Sequence, residues 1–314
     1  MSDPRVSVLI PTWNGGDTLR EALDAIAAQD SHLTFEVVAV DSGSTDGTLV
    51  LLASRADRVL HIPAGTFDHG ATRNRGIEAC RGEWVVLLVQ DAVPASRRWL
   101  SELVRPLEAD PRTAGSYARQ IPRADASALT RSMLARWVAA GETSRVQEPL
   151  TEDELGALTP VERHERCAFD NVCSCLRRAV WERIPFRAAP IAEDLAWGRE
   201  ALLAGHRLTY APGATVVHSH ERSLRHELGR TYLVHRRLGE LFGLRTVPTS
   251  AHLLRAVGIS LVSHGRCLRR AHGPWIPPWQ LARALGLALV WPLGQYLGGR
   301  AFATGRDLMR PRGI

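Results

Sequence analysis

Residues 6 to 14 read Val-Ser-Val-Leu-Ile-Pro-Thr-Trp-Asn. Val6 to Ile10 is an apolar, β-branched run closed by Pro11, the pattern of a buried strand. Thr18 and Glu21 then supply a T-x-x-E capping-box pattern, and Leu19, Leu23 and Ile26 recur at helical spacing, so a helix with one sheet-facing stripe is expected to follow. The alternation continues outward. Val37–Val40 reads as a strand, Asp46–Arg55 as a helix, Arg58–Ile62 as a strand, Ala71–Arg81 as a helix and Trp84–Val89 as a further strand. Strands and helices in strict alternation predict an α/β, doubly wound architecture with a mainly parallel sheet.

In such a sheet ligands bind beyond the carboxyl ends of the strands. Those positions hold Pro11-Thr12-Trp13-Asn14, Asp41-Ser42-Gly43-Ser44 and Gln90-Asp91-Ala92. The first turn lacks the G-x-G-x-x-G of a dinucleotide fold, and no Walker motif is present. Asp41 followed by small polar residues suits hydrogen bonding to a base and ribose, although the same residues also make ordinary turns. Arg73 and Asn74 fall near the start of the third helix, where an arginine beside a helix N-terminus can hold an anion.

Further along, residues 124–165 form a polar region with helical pieces, Leu129–Ala140 foremost, and are read as including a mobile loop. Glu193-Asp194 precedes a helical pattern that Gly205 stops, and Arg207–Tyr210 and Thr215–His218 read as short strands. Beyond Arg222 only helices are expected. The 314 residues carry a net charge of +6, but residues 223–314 alone hold 14 Arg against three acids. A basic tail on an acidic body points to an anionic partner surface. The longest uncharged run, Ala284–Gly299, contains Pro292 and four glycines and is too short to span a bilayer, so it is expected to lie on a membrane instead.

Five cysteines at spacings unlike any zinc ribbon, and no N-terminal signal segment, make a reducing cytoplasm the default location. Cys173-Ser-Cys175, with Cys167 nearby, is read as buried thiols rather than a metal site. Trp13, Trp84, Trp99, Trp137 and Trp181 are read as core or acceptor-groove residues.

Over about residues 5 to 222 the sequence resembles the family 2 glycosyltransferases of GT-A fold. The resemblance rests on residues 6–14, on Val-Asp-Ser-Gly-Ser-Thr-Asp-Gly-Thr at 40–48, on Leu-Val-Gln-Asp-Ala-Val-Pro at 88–94 and on Ala-Glu-Asp at 192–194. Phe-Asp-His-Gly-Ala-Thr-Arg-Asn at 67–74 and the Gln-Asp-Ala string look like the rhamnosyltransferase branch. That implies an inverting enzyme taking L-rhamnose from dTDP-rhamnose to a polysaccharide or lipid-linked glycan acceptor in cell-envelope biosynthesis. The implied donor contacts are Pro11, Thr12, Asn14, Asp41, Ser42, Arg73, Asn74 and Gln90.

The family's D-x-D triplet is Val89-Gln90-Asp91 here, so its first acid is missing while Asp91 remains available to Mg²⁺ or Mn²⁺. His218 and His220 stand where the family often supplies a histidine to the same site, and strand alternation places both on one side. Asp194, ending the E-D motif, is implied to be the base. The expected organisation is a GT-A catalytic domain over 1–222 and a basic helical extension over 223–314 that holds the protein peripherally on the cytoplasmic face of the cell membrane.

Three rivals stand beside this reading. One keeps the fold but takes another donor, such as a UDP-hexose, since Asp41 and Ser42 suit either pyrimidine. Another is a non-catalytic nucleotide-sugar-binding protein, prompted by the missing acid. A nucleic-acid binder, prompted by the basic tail, is disfavoured because the tail shows no nucleic-acid motif.

Overall fold

The structure, a computed structural model, describes residues 3–309. Its first half is built from β1 (Val6–Thr12), α1 (Gly16–Ala27), β2 (Phe35–Asp41), α2 (Thr48–Arg55), β3 (Arg58–His61), α3 (His69–Ala79) and β4 (Trp84–Leu88). There follow β5 (Val93–Pro94), α4 (Trp99–Ala109), β6 (Thr113–Ile121), α5 (Ala128–Leu134), β7 (Arg145–Gln147), α6 (Glu152–Ala157) and α7 (Pro160–Arg166). The chain continues through β8 (Cys173–Arg177), α8 (Arg178–Trp181), α9 (Glu193–Leu203) and β9 (Arg207–Val217), then α10 (Leu224–Phe242), α11 (Ser250–His272) and α12 (Pro278–Thr304).

Among the described residues the strands form one nine-stranded sheet, ordered β3-β2-β1-β4-β8-β6-β9-β5, with β7 also on β9. The run β3-β2-β1-β4 is parallel, as the alternation of strands and helices predicts. β8 then enters antiparallel between β4 and β6, while β6 and β9 run parallel to each other. The strands β1, β2 and β4 are almost wholly buried, which is why they read as near-continuous apolar runs. Helices α1 and α4 cover one face through Leu19, Leu23, Ile26, Trp99, Leu100 and Leu103.

Three local expectations are corrected. The capping box at the start of α1 does not form: the helix begins at Gly16, so Thr18 lies inside it, and its hydroxyl donates back to the Gly15 carbonyl. The two short strands expected near 207–218 are one strand, β9, whose pairing with β6 shifts register between Ala118 and Arg119 and so spreads the break across a bulge. In the middle of the chain the helix stops at Leu134, and Arg145–Gln147 adds an edge strand.

The chain divides into two compact units. One, comprising residues up to Ile121 with Trp137–Ala157 and Arg166–His218, contains the whole sheet. The other takes Pro122–Arg136, Leu158–Glu165 and the residues from Ser219 on, and is helical. Within it α12 packs on α10, and a side chain at Gly298 would run into the backbone of Tyr232. Leu129, Leu268, Ala284 and Leu287 form its small core.

Gly70 makes a comparably close approach in the sheet unit. A Cβ there would strike the backbone carbonyl of Arg187, so α3 can press against the 186–189 segment only because residue 70 has no side chain. Gly70→Ala should therefore cost about 1–3 kcal/mol, the usual range for overpacking. A urea unfolding midpoint equal to that of the wild type would contradict this.

Candidate active site

The carboxyl ends of β1, β2 and β4 meet at one edge of the sheet, and each loop there is tied to the next. Asn14, at φ 47°, occupies a left-handed conformation that Asn tolerates better than most residues. Its backbone N–H donates to Ser44 Oγ at 2.9 Å, and its Oδ1 accepts from the Thr45 N–H at 2.9 Å. Thr12 pairs in register with Asp41 across the sheet. The Asp41 carboxylate accepts from the N–H groups of Gly43 and Ser44 at 3.0 and 2.9 Å and from the Ser44 hydroxyl at 2.5 Å. Asp41 thus organises its own loop, while the buried Ser42 Oγ has no hydrogen-bond partner. A buried hydroxyl without a partner is costly, and a bound nucleotide is one means of satisfying it.

Gln90 makes a two-point contact with the backbone of Trp13: Oε1 accepts from its N–H at 2.8 Å and Nε2 donates to its carbonyl at 3.0 Å. The middle residue of the Val89-Gln90-Asp91 triplet therefore clasps the β1 loop. Trp13 itself stays exposed.

Next to Gln90, Asp91 forms a cluster with His218 and His220, whose ligand atoms all lie within 4.8 Å of one another. His218 Nε2 is 3.7 Å from Asp91 Oδ1. One carboxylate oxygen and two imidazole nitrogens suit a borderline divalent ion such as Mn²⁺, with coordination positions left over for diphosphate oxygens. The other candidate ligands are excluded by burial. Four of the five thiols are buried, and burial pushes Cys80 and Cys167 up to about 12 and 11, far from the thiolate a metal requires.

Asp194 stands at the start of α9. The residue before the helix, Ala192, has φ 58° and offers no side-chain cap, so the acids enter on a strained, left-handed backbone of the kind found at functional sites. Glu193 is buried and paired with the equally buried Arg73 at 2.7 Å. Asn171 Nδ2 donates to Glu193 at 3.1 Å. Burial opposes the charge on Glu193, but Arg73 and Asn171 prevail and hold its carboxyl below the usual range. Asp194 accepts only from the N–H groups of Asn171 at 3.2 Å and Leu195 at 2.8 Å. Burial, reinforced by the charges of Glu193 and Asp170, pushes it up to about 8.

Arg73 and Asn74 differ from the sequence expectation. Arg73 spends its guanidinium on Glu193, on His69 and on the Asn171 carbonyl, so it is no open anion site. Asn74 gives both ends of its amide to Phe186 and accepts from Trp181 Nε1 at 2.9 Å. Asp68 caps α3 and also accepts from the Ala189 N–H. The Phe67–Asn74 motif thus fixes the segment that leads into Glu193 and Asp194.

This arrangement of loops, acids and imidazoles can be set beside known proteins. The glycosyl transferase family 2 model matches residues 7–167, just over half of the chain. The chain belongs to glycosyl transferase family 2. It is similar to the O-antigen chain rhamnosyltransferase RfbN of Salmonella typhimurium, with 28% identity over 232 residues, covering 73% of this chain and 70% of the relative. WbaN of Salmonella anatum, also an O-antigen chain rhamnosyltransferase, is 26% identical with the same coverage. Among solved structures, the mannosyltransferase PcManGT of Pyrobaculum calidifontis, in complex with GDP-Man and Mn²⁺, is similar at TM-score 0.60 and 18% identity, over 98% of this chain and 89% of that one. S. aureus TarS residues 1–349 with UDP-GlcNAc is similar at TM-score 0.53 and 16% identity, over 97% and 93%. These likenesses establish the GT-A fold.

Gln120, Asp170 and Asn171 carry no motif that marks them as site residues in the sequence, and Trp137 reads there only as a core or acceptor-groove residue. Only the pairing of β6 with β9 and the turn before β8 bring them together.

The raised Asp194 has two measurable consequences. Its folded-state value exceeds the ordinary Asp value, so between about pH 4 and about pH 8 the native state binds the extra proton and stability falls as pH rises. Asp194→Asn should remove that loss and be at least as stable as wild type at pH 8 by thermal unfolding. The acid limb of kcat/KM, which reports the free enzyme, should lie near 8 and move down in Asp170→Asn; a profile flat from pH 5 upward would contradict the assignment.

Proposed function

We propose that this family 2 glycosyltransferase is an inverting, metal-dependent rhamnosyltransferase that moves L-rhamnose from dTDP-rhamnose to a polysaccharide or lipid-linked glycan acceptor. The observation that carries the reaction type is the presence in one chain of a carboxylate tuned towards proton uptake and a carboxylate–imidazole cluster. The sugar identity draws support from the two O-antigen rhamnosyltransferase relatives.

Asp194 serves as base. As the acceptor hydroxyl oxygen bonds to the anomeric carbon, its proton passes to the Asp194 carboxylate and the bond from that carbon to the diphosphate breaks on the opposite face, which inverts the centre. A base whose proton affinity lies near the working pH suits this step better than an ordinary aspartate. Asp91, His218 and His220 would hold Mg²⁺ or Mn²⁺, which neutralises the departing diphosphate. Pro11, Thr12, Asn14 and Ser42 line the donor side, with Asp41 and Gln90 shaping the loops that present them. Arg73 and Asn74 act on Asp194 by positioning its segment.

Residues 1–222 make up the catalytic domain in this reading, and 223–314 hold it on the cytoplasmic face of the membrane. Among the described residues no helix is long and apolar enough to cross a membrane. Yet α11 exposes Leu254, Ile259 and Val262 beside Arg255, Arg266, Arg269 and Arg270. The α11–α12 turn exposes Trp275, and α12 exposes Trp279, Leu281, Leu285 and Leu289. Exposed aliphatic stripes with tryptophans and arginines match the surface of an interfacial helix on anionic lipid.

Transfer of labelled rhamnose tests the chemistry. Asp194→Asn should keep donor affinity and lose about 10²- to 10⁴-fold in turnover, the range for a missing general base; retention of more than about a tenth of wild-type turnover removes Asp194 from the mechanism. EDTA and Asp91→Asn should each abolish transfer, and full activity after chelation would refute the metal. A panel of nucleotide sugars scored by thermal stabilisation separates dTDP-rhamnose from UDP-hexoses, and an absence of transfer despite stabilisation would favour the non-catalytic reading. Liposomes rich in anionic lipid should sediment the full-length protein at low salt, less so after Trp275→Ser and Trp279→Ser together, and protein left wholly in the supernatant would refute the membrane role.

A further inference from the structure

One layer behind the Asp91–His218–His220 cluster lies a chain of hydrogen bonds whose direction can be worked out. It starts at Asp170, a buried acid. Its Oδ2 accepts from Trp137 Nε1 at 2.7 Å and from Gln120 Nε2 at 2.7 Å, and its Oδ1 accepts from the Val172 N–H at 2.9 Å. Indole and backbone N–H groups can only donate. Three donors converge on Asp170, which as an ionised carboxylate only accepts, so the Gln120 amide must turn its NH₂ towards it.

That leaves one orientation for the rest of Gln120. Its Oε1 faces His218 Nδ1 at 3.0 Å. A carbonyl oxygen only accepts, so Nδ1 must carry the proton. In a neutral ring Nε2 then holds the lone pair, and Nε2 is the atom that faces Asp91. The main chain of His218 is held as well, because its backbone N–H donates to the Ile121 carbonyl at 2.9 Å.

We infer that Gln120 and Asp170 are positioning residues that lock His218 as the Nδ1–H tautomer, presenting its Nε2 lone pair to a divalent cation beside Asp91. The inference rests on the metal reading above and adds to it the origin of the ligand's form. Partners behind a metal-binding histidine fix the ring's tautomer and orientation, and losing one typically weakens metal binding about 10- to 100-fold. A buried amide between a histidine and a carboxylate does this without a charge of its own. Trp137 contributes by holding Asp170, and its ring remains partly exposed.

The test compares Gln120→Leu with Gln120→Glu in the full-length protein. Leucine removes the acceptor at His218 Nδ1. A glutamate keeps an oxygen there and, when protonated on its other oxygen, still donates to Asp170. Two-bond ¹H–¹⁵N spectra of the metal-free protein at about pH 8, above the ordinary imidazole value of about 6.5, report the ring form, with His218 assigned by its loss in His218→Gln. Wild type and Gln120→Glu should show a protonated Nδ1 and an unprotonated Nε2, and Gln120→Leu should shift towards Nε2–H. Mn²⁺ titration calorimetry should show about 10- to 100-fold weaker binding for Gln120→Leu and near-wild-type binding for Gln120→Glu. A wild-type ring protonated on Nε2, or a Gln120→Leu variant with unchanged ring form and Mn²⁺ affinity, would overturn the inference. A wild type that takes up no Mn²⁺ while its ring is Nδ1–H would instead overturn the metal reading beneath it.

Discussion

The Arg73–Glu193 ion pair is the constraint on which the site depends. Both side chains are almost fully withdrawn from water, at 4% exposure each. Removing one partner of such a pair leaves an uncompensated buried charge, at a cost of about 3–5 kcal/mol. The pair fixes the first turn of α9 against α3, and the other contacts of α3 follow the same line: Asp68 to Ala189, Gly70 against Arg187, Asn74 around Phe186. It also keeps a negative charge one residue from Asp194. With Glu193 neutralised by contact and Asp194 given only backbone donors, the proton affinity of the pair falls on Asp194.

This explains what the sequence could and could not reveal. The Phe67–Asn74 motif was visible as a motif, but its partners lie more than a hundred residues away, and no spacing within the motif points to them. An arginine at a helix start resembles an anion site until the buried acid opposite is seen. Asp41 is a similar case: its residue type suits a ribose, yet its own loop consumes its oxygens. The parallel half of the sheet was legible because β1, β2 and β4 are buried and rich in Val, Ile and Leu. β6 was not, since Thr-Ala-Gly-Ser-Tyr-Ala-Arg-Gln-Ile mixes small and polar residues that are buried by tertiary packing, between β8 and β9 and against α4.

Gln90, the middle residue of the Val89-Gln90-Asp91 triplet, shows what a variable position inside a motif can do. A carboxylate at this position could accept from the Trp13 N–H but could not donate to its carbonyl. The amide does both, so it closes the β1 loop at two points and adds no negative charge beside Asp91. The missing first acid falls at Val89, an apolar residue packed against the core, and Asp91 in the Asp91–His218–His220 cluster is untouched by it.

Four acids of the candidate site are each given a different electrostatic environment. Glu193 is paired with a guanidinium, Asp170 accepts from three N–H donors, Asp91 faces imidazoles, and among the described residues Asp194 accepts from backbone N–H groups alone. Like charges in a partly desolvated site cannot all be ionised at low cost. Glu193 and Asp170 keep their charges through contact with a guanidinium and with N–H donors, and those charges favour the proton on Asp194. The same Asp170 that raises Asp194 also orients Gln120, and through it His218. The proposed base and the proposed metal ligand therefore share one buried carboxylate, so a change at residue 170 is expected to alter the proton affinity on one side and the ring tautomer on the other together.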